Sequence, residues 1–199
     1  MLKYKAKKIN TKKKEGMKLN ILAVGDIVGE AGVRKLKEEL PKIKKQENID
    51  FVITNGENSA GGMGITEKNF RDILSAGTDV ITLGNHTWAK KEIFKFIDEP
   101  QILRPANYPE GVPGKGYNIF ECNNKKIAVM NYMGRVDINI LTENPFVMAK
   151  KDVEEVSKEA DIIIIDFHAE ATAEKIAMGR FLDGKITILF GTHTHVQTA

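Results

Sequence analysis

Short runs of aliphatic and β-branched residues alternate along this chain with longer stretches in which apolar positions recur every three or four residues. The runs at Leu19–Val24, Asp50–Thr54, Asp79–Leu83, Asp161–Phe167 and Lys185–Phe190 each give way to glycine or a polar residue, the pattern of buried strands. Between them lie helical patterns. Gly32–Glu47 places Val33, Leu36, Leu40 and Ile43 on one face, and Pro41 is expected to kink or divide it. Thr66–Ala76 opens on a threonine cap and aligns Phe70, Ile73 and Leu74. Ala89–Ile97, Ala149–Ala160 and Thr172–Leu182 read as three more helices.

Strands apolar on both faces and separated by helices predict an α/β fold with a largely parallel central sheet, covered on two sides. A middle section departs from this rhythm. Gln101–Asn107, Gly116–Cys122 and Lys125–Tyr132 read as strands, the last two joined by a tight hairpin at Asn123-Asn124. These belong on an antiparallel side or in a second, mixed sheet.

Length and composition fit one domain: 199 residues, 42% of them hydrophobic, can build a core. The formal charge of +3 is misleading. Residues 1–16 hold seven Lys and one Glu, leaving 23 Lys and Arg against 26 Asp and Glu elsewhere, so the body is slightly acidic. Basicity therefore gives no ground for a nucleic-acid-binding body. The stretch 1–16 reads as a disordered tail, an RNA-contacting arm being the alternative, and Met17 as the natural start of a domain spanning 17–199. No signal peptide or membrane span is evident, so a cytoplasmic protein is expected. The single cysteine, Cys122, is expected to be a buried, inert thiol.

Candidate chemistry sits just past the strand-like runs. All four histidines fall in Gly84-Asn85-His86, Phe167-His168 and Gly191-Thr192-His193-Thr194-His195. Two carboxylate clusters, Gly25-Asp26 and Gly56-Glu57-Asn58, follow other runs in the same way. Ligands of open parallel sheets bind beyond the carboxyl ends of the strands, so these segments should converge on one rim. Imidazole, carboxylate and amide oxygen together suit a transition metal. In an extended segment His193 and His195 point to the same side and can serve one metal or two adjacent ones. Asp26 has a competing reading as a helix cap, Glu57 as part of a turn. Arg135 and Glu170 are candidates for contacts to substrate or to the histidines, against a reading as ordinary surface residues. Trp88 can stack on a base or pack on a helix.

At Gly84-Asn85-His86 and Gly191-Thr192-His193-Thr194-His195 the chain resembles the calcineurin-like metallophosphoesterases. The resemblance is closest to their YmdB-like branch, through A-V-G-D-I-V-G at 23–29, N-G-E-N at 55–58, G-N-H-T-W at 84–88, D-F-H-A-E-A-T at 166–172 and G-T-H-T-H-V-Q-T-A at 191–199. It implies a layered fold with a mixed strand section beside the parallel sheet. It also implies that the C-terminal part of that fold is missing after Ala199. By the same resemblance Asp26, Glu57, Asn58 and His195 hold a first metal, Glu57 bridges, and Asn85, His168 and His193 hold a second. His86 is then the proton donor, a purely structural role orienting Asn85 being the competing reading. Asn58 takes the place of the histidine that ordinary members carry after the first strand.

What the resemblance implies about activity is a dinuclear phosphodiesterase acting on small phosphodiesters such as 2',3'- or 3',5'-cyclic nucleotides, by attack of a hydroxide shared between the ions. Two divalent ions against Asp26 and Glu57 leave a net positive site suited to phosphate. Fe or Mn is favoured over Zn because no thiolate takes part. A phosphomonoesterase or nucleotidase is the alternative within the enzyme class. A non-catalytic regulatory protein binding metal and nucleotide or RNA is the alternative outside it, and self-association is left open.

Overall fold

A computed structural model describes residues 18–196. The tail 1–16, on which the expected disorder and RNA contact rest, lies outside the described residues. The elements run β1 (Ile21–Val24), α1 (Gly29–Glu47), β2 (Phe51–Asn55), α2 (Glu67–Ser75), β3 (Val80–Thr82), a 3₁₀ turn (Lys91–Lys95), β4 (Ile102–Leu103), β5 (Tyr117–Cys122), β6 (Lys125–Met133), α3 (Pro145–Val156), β7 (Ile162–Ala169), α4 (Thr172–Phe181) and β8 (Ile188–His193).

The strands form two sheets, ordered β1-β2-β3-β4 and β5-β6-β7-β8. The first is parallel throughout. In the second only the β5–β6 hairpin is antiparallel, and β6, β7 and β8 run parallel. The central parallel sheet expected from the sequence is thus divided, since β7 and β8 extend the hairpin rather than β1–β3. Periodicity does not reveal this split, because a strand buried on both faces reads the same in either sheet.

Alternation along the strands builds the layers. Phe51, Ile53, Val80 and Leu103 of the first sheet pack against Ile127, Val129 and Ile164 of the second, making the layer between the sheets. Val52, Ile81 and Ile102 face the other way, onto Val33, Leu36 and Leu40 of α1 and Phe70 and Ile73 of α2. On the far side Ala128, Met130, Tyr132, Ile163 and Ile165 meet Ala149 and Val153 of α3 and Met178 of α4.

Local chemistry accounts for most boundaries. The Thr66 hydroxyl accepts from Asn69 N at 3.2 Å and opens α2, and the Asn144 side chain caps α3, which starts at Pro145, earlier than its apolar pattern suggests. Asn123 and Asn124 both take positive φ (48° and 59°), the conformation a two-residue hairpin requires. Helix α1 continues through Pro41 without being divided there. That proline is exposed, where water can satisfy the carbonyl that loses its amide partner. The expected helix 89–97 is a single 3₁₀ turn, because one turn suffices to bury Ile93, Phe96 and Ile97. The run 101–107 adds only β4, and does so parallel to β3. Cys122 is half-buried rather than buried, and burial next to Asp50 raises its thiol pKa, keeping it unreactive. Among the described residues no helix is long and apolar enough to cross a membrane.

Candidate metal centre

At the carboxyl ends of the strands the layer between the sheets turns from apolar to polar. Asn55 and Thr82 of the first sheet and Asn131, Asp166, His168 and Thr192 of the second are all buried. They join the sheets by hydrogen bonds: Asn131 Nδ2 donates to Leu83 O at 2.7 Å and Leu103 O at 3.0 Å, and Thr82 Oγ1 donates to Asp166 Oδ2 at 2.5 Å. Every candidate ligand lies at or just beyond this polar end.

Four of them meet at one point. Glu57 Oε1 and His168 Nε2, both fully buried, are 3.0 Å apart. Asn85 Oδ1 lies 2.8 Å from His168 Nε2 and 3.0 Å from His193 Nδ1, and the two ring nitrogens are 3.1 Å apart. Among the described residues Glu57, His168 and His193 form the group of His, Cys, Asp or Glu side chains able to hold a metal ion.

The distribution of protons in this cluster suits a cation. Burial pushes the Asp166 carboxyl up to about 6, with hydrogen bonds from Thr192 and Thr82 opposing the rise, and the Thr192, Thr82 and Asn55 donors directed at it make it an acceptor. Thr192 Oγ1 donates to it at 2.7 Å and therefore accepts, at 2.9 Å, from His168 Nδ1–H. The lone pair of neutral His168 is then on Nε2. On the other ring, Glu170 Oε2 stands 3.1 Å from His193 Nε2 and draws the proton there, leaving the lone pair on Nδ1. Two imidazole lone pairs, an amide oxygen and a carboxylate oxygen thus face one another. Without a cation a proton must serve: burial works against charging His168, but the Glu57 carboxylate beside it prevails and raises its pKa. The donor set fits a metal ion.

A second cluster adjoins the first. Asp26 Oδ1 lies 3.6 Å from His195 Nε2, and Asn58 Nδ2 lies 3.4 Å from each of Asp26 Oδ1, Glu57 Oε1 and His195 Nε2. An amide N–H group among three acceptors is the favoured orientation in the absence of a cation. To ligate, Asn58 turns its amide over and presents Oδ1. The Glu57 carboxylate touches both clusters. Asp26 caps no helix, since α1 starts behind Val28 without a side-chain cap; instead Asp26 Oδ2 accepts from His193 N at 3.0 Å.

His193 and His195 do not lie on an extended segment. With φ of 82° at His193 the backbone bends, and the two rings turn to different clusters. His86 is half-buried; its amide donates to Glu57 Oε2 at 2.8 Å and its Nε2 accepts from Asn85 Nδ2 at 3.2 Å, which aims the Asn85 oxygen at the histidines. Glu170 touches His193, as one of its two readings held. Arg135 contributes a backbone amide, donated to Glu174 Oε1 at 3.0 Å, and its side chain is exposed. Trp88 is already stacked on Phe94 at 5.6 Å and abuts Tyr108.

The sequence reading missed Asp166, Thr192, Thr82 and Asn55. A charged residue in the run Ile162-Ile163-Ile164-Ile165-Asp166-Phe167 was the available signal, for a buried carboxylate needs partners. With Asp166 and Glu170 close to the histidines, Asp26 and Glu57 are not the only carboxylates present. The surplus positive charge expected of a loaded site is correspondingly smaller.

A family model described as YmdB-like protein matches residues 22–199. The chain belongs to the YmdB-like family. It is 50% identical to the 2',3'-cyclic-nucleotide 2'-phosphodiesterase of Bacillus subtilis (strain 168) over 182 residues, covering 91% of this chain and 69% of that protein. Two solved structures resemble this YmdB-like chain closely. One is a hypothetical protein from Thermus thermophilus, with TM-score 0.84 and 38% identity over 89% of this chain and 69% of that one. The other is a novel phosphatase from Mycoplasma pneumoniae, with TM-score 0.83 and 37% identity over 89% and 64%. The chain thus spans roughly two thirds of the length of these relatives.

Proposed function

We propose that this YmdB-like chain carries the metal centre of a dinuclear phosphodiesterase that hydrolyses small phosphodiesters of the cyclic-nucleotide class. The observation that carries this reading is the meeting of Glu57, Asn85, His168 and His193 around one point, with Asp26, Asn58 and His195 grouped beside Glu57. The name of the B. subtilis relative, at 50% identity, supports the substrate class.

In this reading Asp26, Asn58 and His195 would hold one ion and Asn85, His168 and His193 the other, with Glu57 available to both. Bound divalent ions supply Lewis acidity to a phosphate ester and bring the pKa of an attacking water toward neutrality. A donor set of nitrogen and oxygen without thiolate suits Mn or Fe. The chain's own groups do the rest. Asp166, through Thr192, keeps the His168 proton on Nδ1 and its lone pair on Nε2. Glu170 does the same for His193 from the opposite side. His86, beside Asn85, protonates the leaving alkoxide. A cytoplasmic setting is part of this proposal.

A second reading of His86 is favoured by its contact with Asn85 Nδ2: it serves only to orient that ligand. Metal content and hydrolysis of bis(p-nitrophenyl) phosphate, measured with Mn on wild type and His86→Ala, separate the two. The proton-donor role predicts about two ions in both proteins, with the rate of the variant down by about 10²–10⁴. Loss of metal by the variant would show an orienting role instead. Faster turnover of p-nitrophenyl phosphate than of the diester would point to a phosphomonoesterase.

A further inference from the structure

Lys175 is a half-buried cation on α4 whose ammonium reaches the segment carrying two of the histidines. Its Nζ donates to Thr194 Oγ1 at 2.9 Å, and that hydroxyl donates in turn to Glu170 O at 2.9 Å. The stem lies across Gly191: a Cβ there would stand 2.7 Å from Lys175 Cδ and 3.0 Å from Cε. The glycine of the Gly191-Thr192-His193-Thr194-His195 motif is thus the notch through which the lysine passes.

Thr194 sits between the two rings and is the place where the segment needs holding. His193 adopts φ of 82°, which a non-glycine residue keeps only when its surroundings fix it. The His193 ring has Glu170, Asn85 and His168 as partners. The His195 ring is half-exposed, with only the long contacts to Asp26 at 3.6 Å and Asn58 at 3.4 Å. Its placement therefore depends on the backbone before it.

We propose that Lys175 is a positioning residue of the metal centre: through Thr194 it seats His195 on the Asp26–Asn58 side while His193 turns to Asn85 and His168. This rests on the dinuclear reading above. Charge and positioning predict opposite signs. An ammonium near the centre repels cations, so losing charge alone tightens metal binding, whereas losing the seat for His195 loosens it.

The test is Mn²⁺ titration followed by electron paramagnetic resonance, which counts bound ions and reads their magnetic coupling without turnover. Wild type takes up two coupled ions. In Lys175→Met one ion binds within about threefold of wild type, while the other weakens at least about tenfold and the coupled signal fades. Thr194→Val gives the same result and Thr194→Ser restores wild-type behaviour. Lys175→Met/Thr194→Val is no weaker than either single variant, as expected for residues acting through one contact. Melting curves of the metal-free proteins identify any variant that fails to fold, and the Thr194 pair then carries the test. Both ions binding to Lys175→Met as tightly as to wild type, or more tightly, would overturn the proposal. So would strictly additive losses in the double variant. Uptake of a single ion by wild type would instead sink the dinuclear reading, and this proposal with it.

Discussion

The Thr192 hydroxyl donates to the buried Asp166 carboxylate at 2.7 Å, and this bond decides which nitrogen of His168 is free to bind a cation. Neither residue faces the point where Glu57, Asn85 and His193 meet, yet together they set the tautomer of a residue that does.

Replacing Asp166 by Asn tests that dependence. The amide can donate to Thr192, whose hydroxyl is then released toward His168 Nδ1, moving the imidazole proton to Nε2. Mn²⁺ affinity measured by calorimetry should fall by about 10–100-fold, with the fold retained by circular dichroism. Unchanged affinity would mean that the relay does not set the tautomer.

Protons and metal compete for the same nitrogen. Burial disfavours a charged His168, but Glu57 outweighs it, so the metal-free folded pKa lies above the ordinary histidine value. The proton's stabilisation of the metal-free fold is complete below the unfolded pKa and is lost as pH rises through the raised one. Metal binding has the opposite trend. Apparent Mn²⁺ affinity at the His168 side should drop by about tenfold per pH unit once the pH is below that pKa, with about one proton released by the ion that His168 binds. Calorimetry in buffers of different ionisation enthalpy counts the protons, and a flat profile from about pH 7.5 to 5.5 would contradict the account.

Gly84 matters because of what lies above it. A Cβ there would stand 2.3 Å from His168 Cδ2 and Nε2, against the ring nitrogen that faces Glu57 and Asn85. Gly84→Ala should cost about 1–3 kcal/mol of stability through overpacking and abolish tight metal uptake. Gly25→Ala is the control, since nothing lies within 4 Å of a Cβ at that position. Equal melting temperatures for the two variants would refute the assignment.

The composition of the candidate site was legible because its candidate ligands sit where strands end. Asp26, Glu57, Asn85, His168 and His193 were all visible as polar residues closing apolar runs, and rules of parallel sheets place such positions on a common rim. The two-residue spacing of His193 and His195 was misleading. It implies one direction only if the backbone stays extended, and the positive φ of His193 breaks that condition. Lys175 gave no signal at all, being one of many lysines in a helical pattern until the fold laid its stem over Gly191.

Sequence by itself determined the strands, most of the helices and the set of donor atoms, because hydrophobic periodicity and residue chemistry are properties of neighbours along the chain. Only the tertiary structure decided that β7 and β8 belong to the second sheet, and that Asp166 reaches His168 through Thr192. Only there, too, do His193 and His195 part toward different clusters. Those outcomes depend on which buried polar group finds which partner across the gap between two sheets. That choice is set by hydrogen-bond satisfaction between residues far apart in sequence, and no local pattern encodes it.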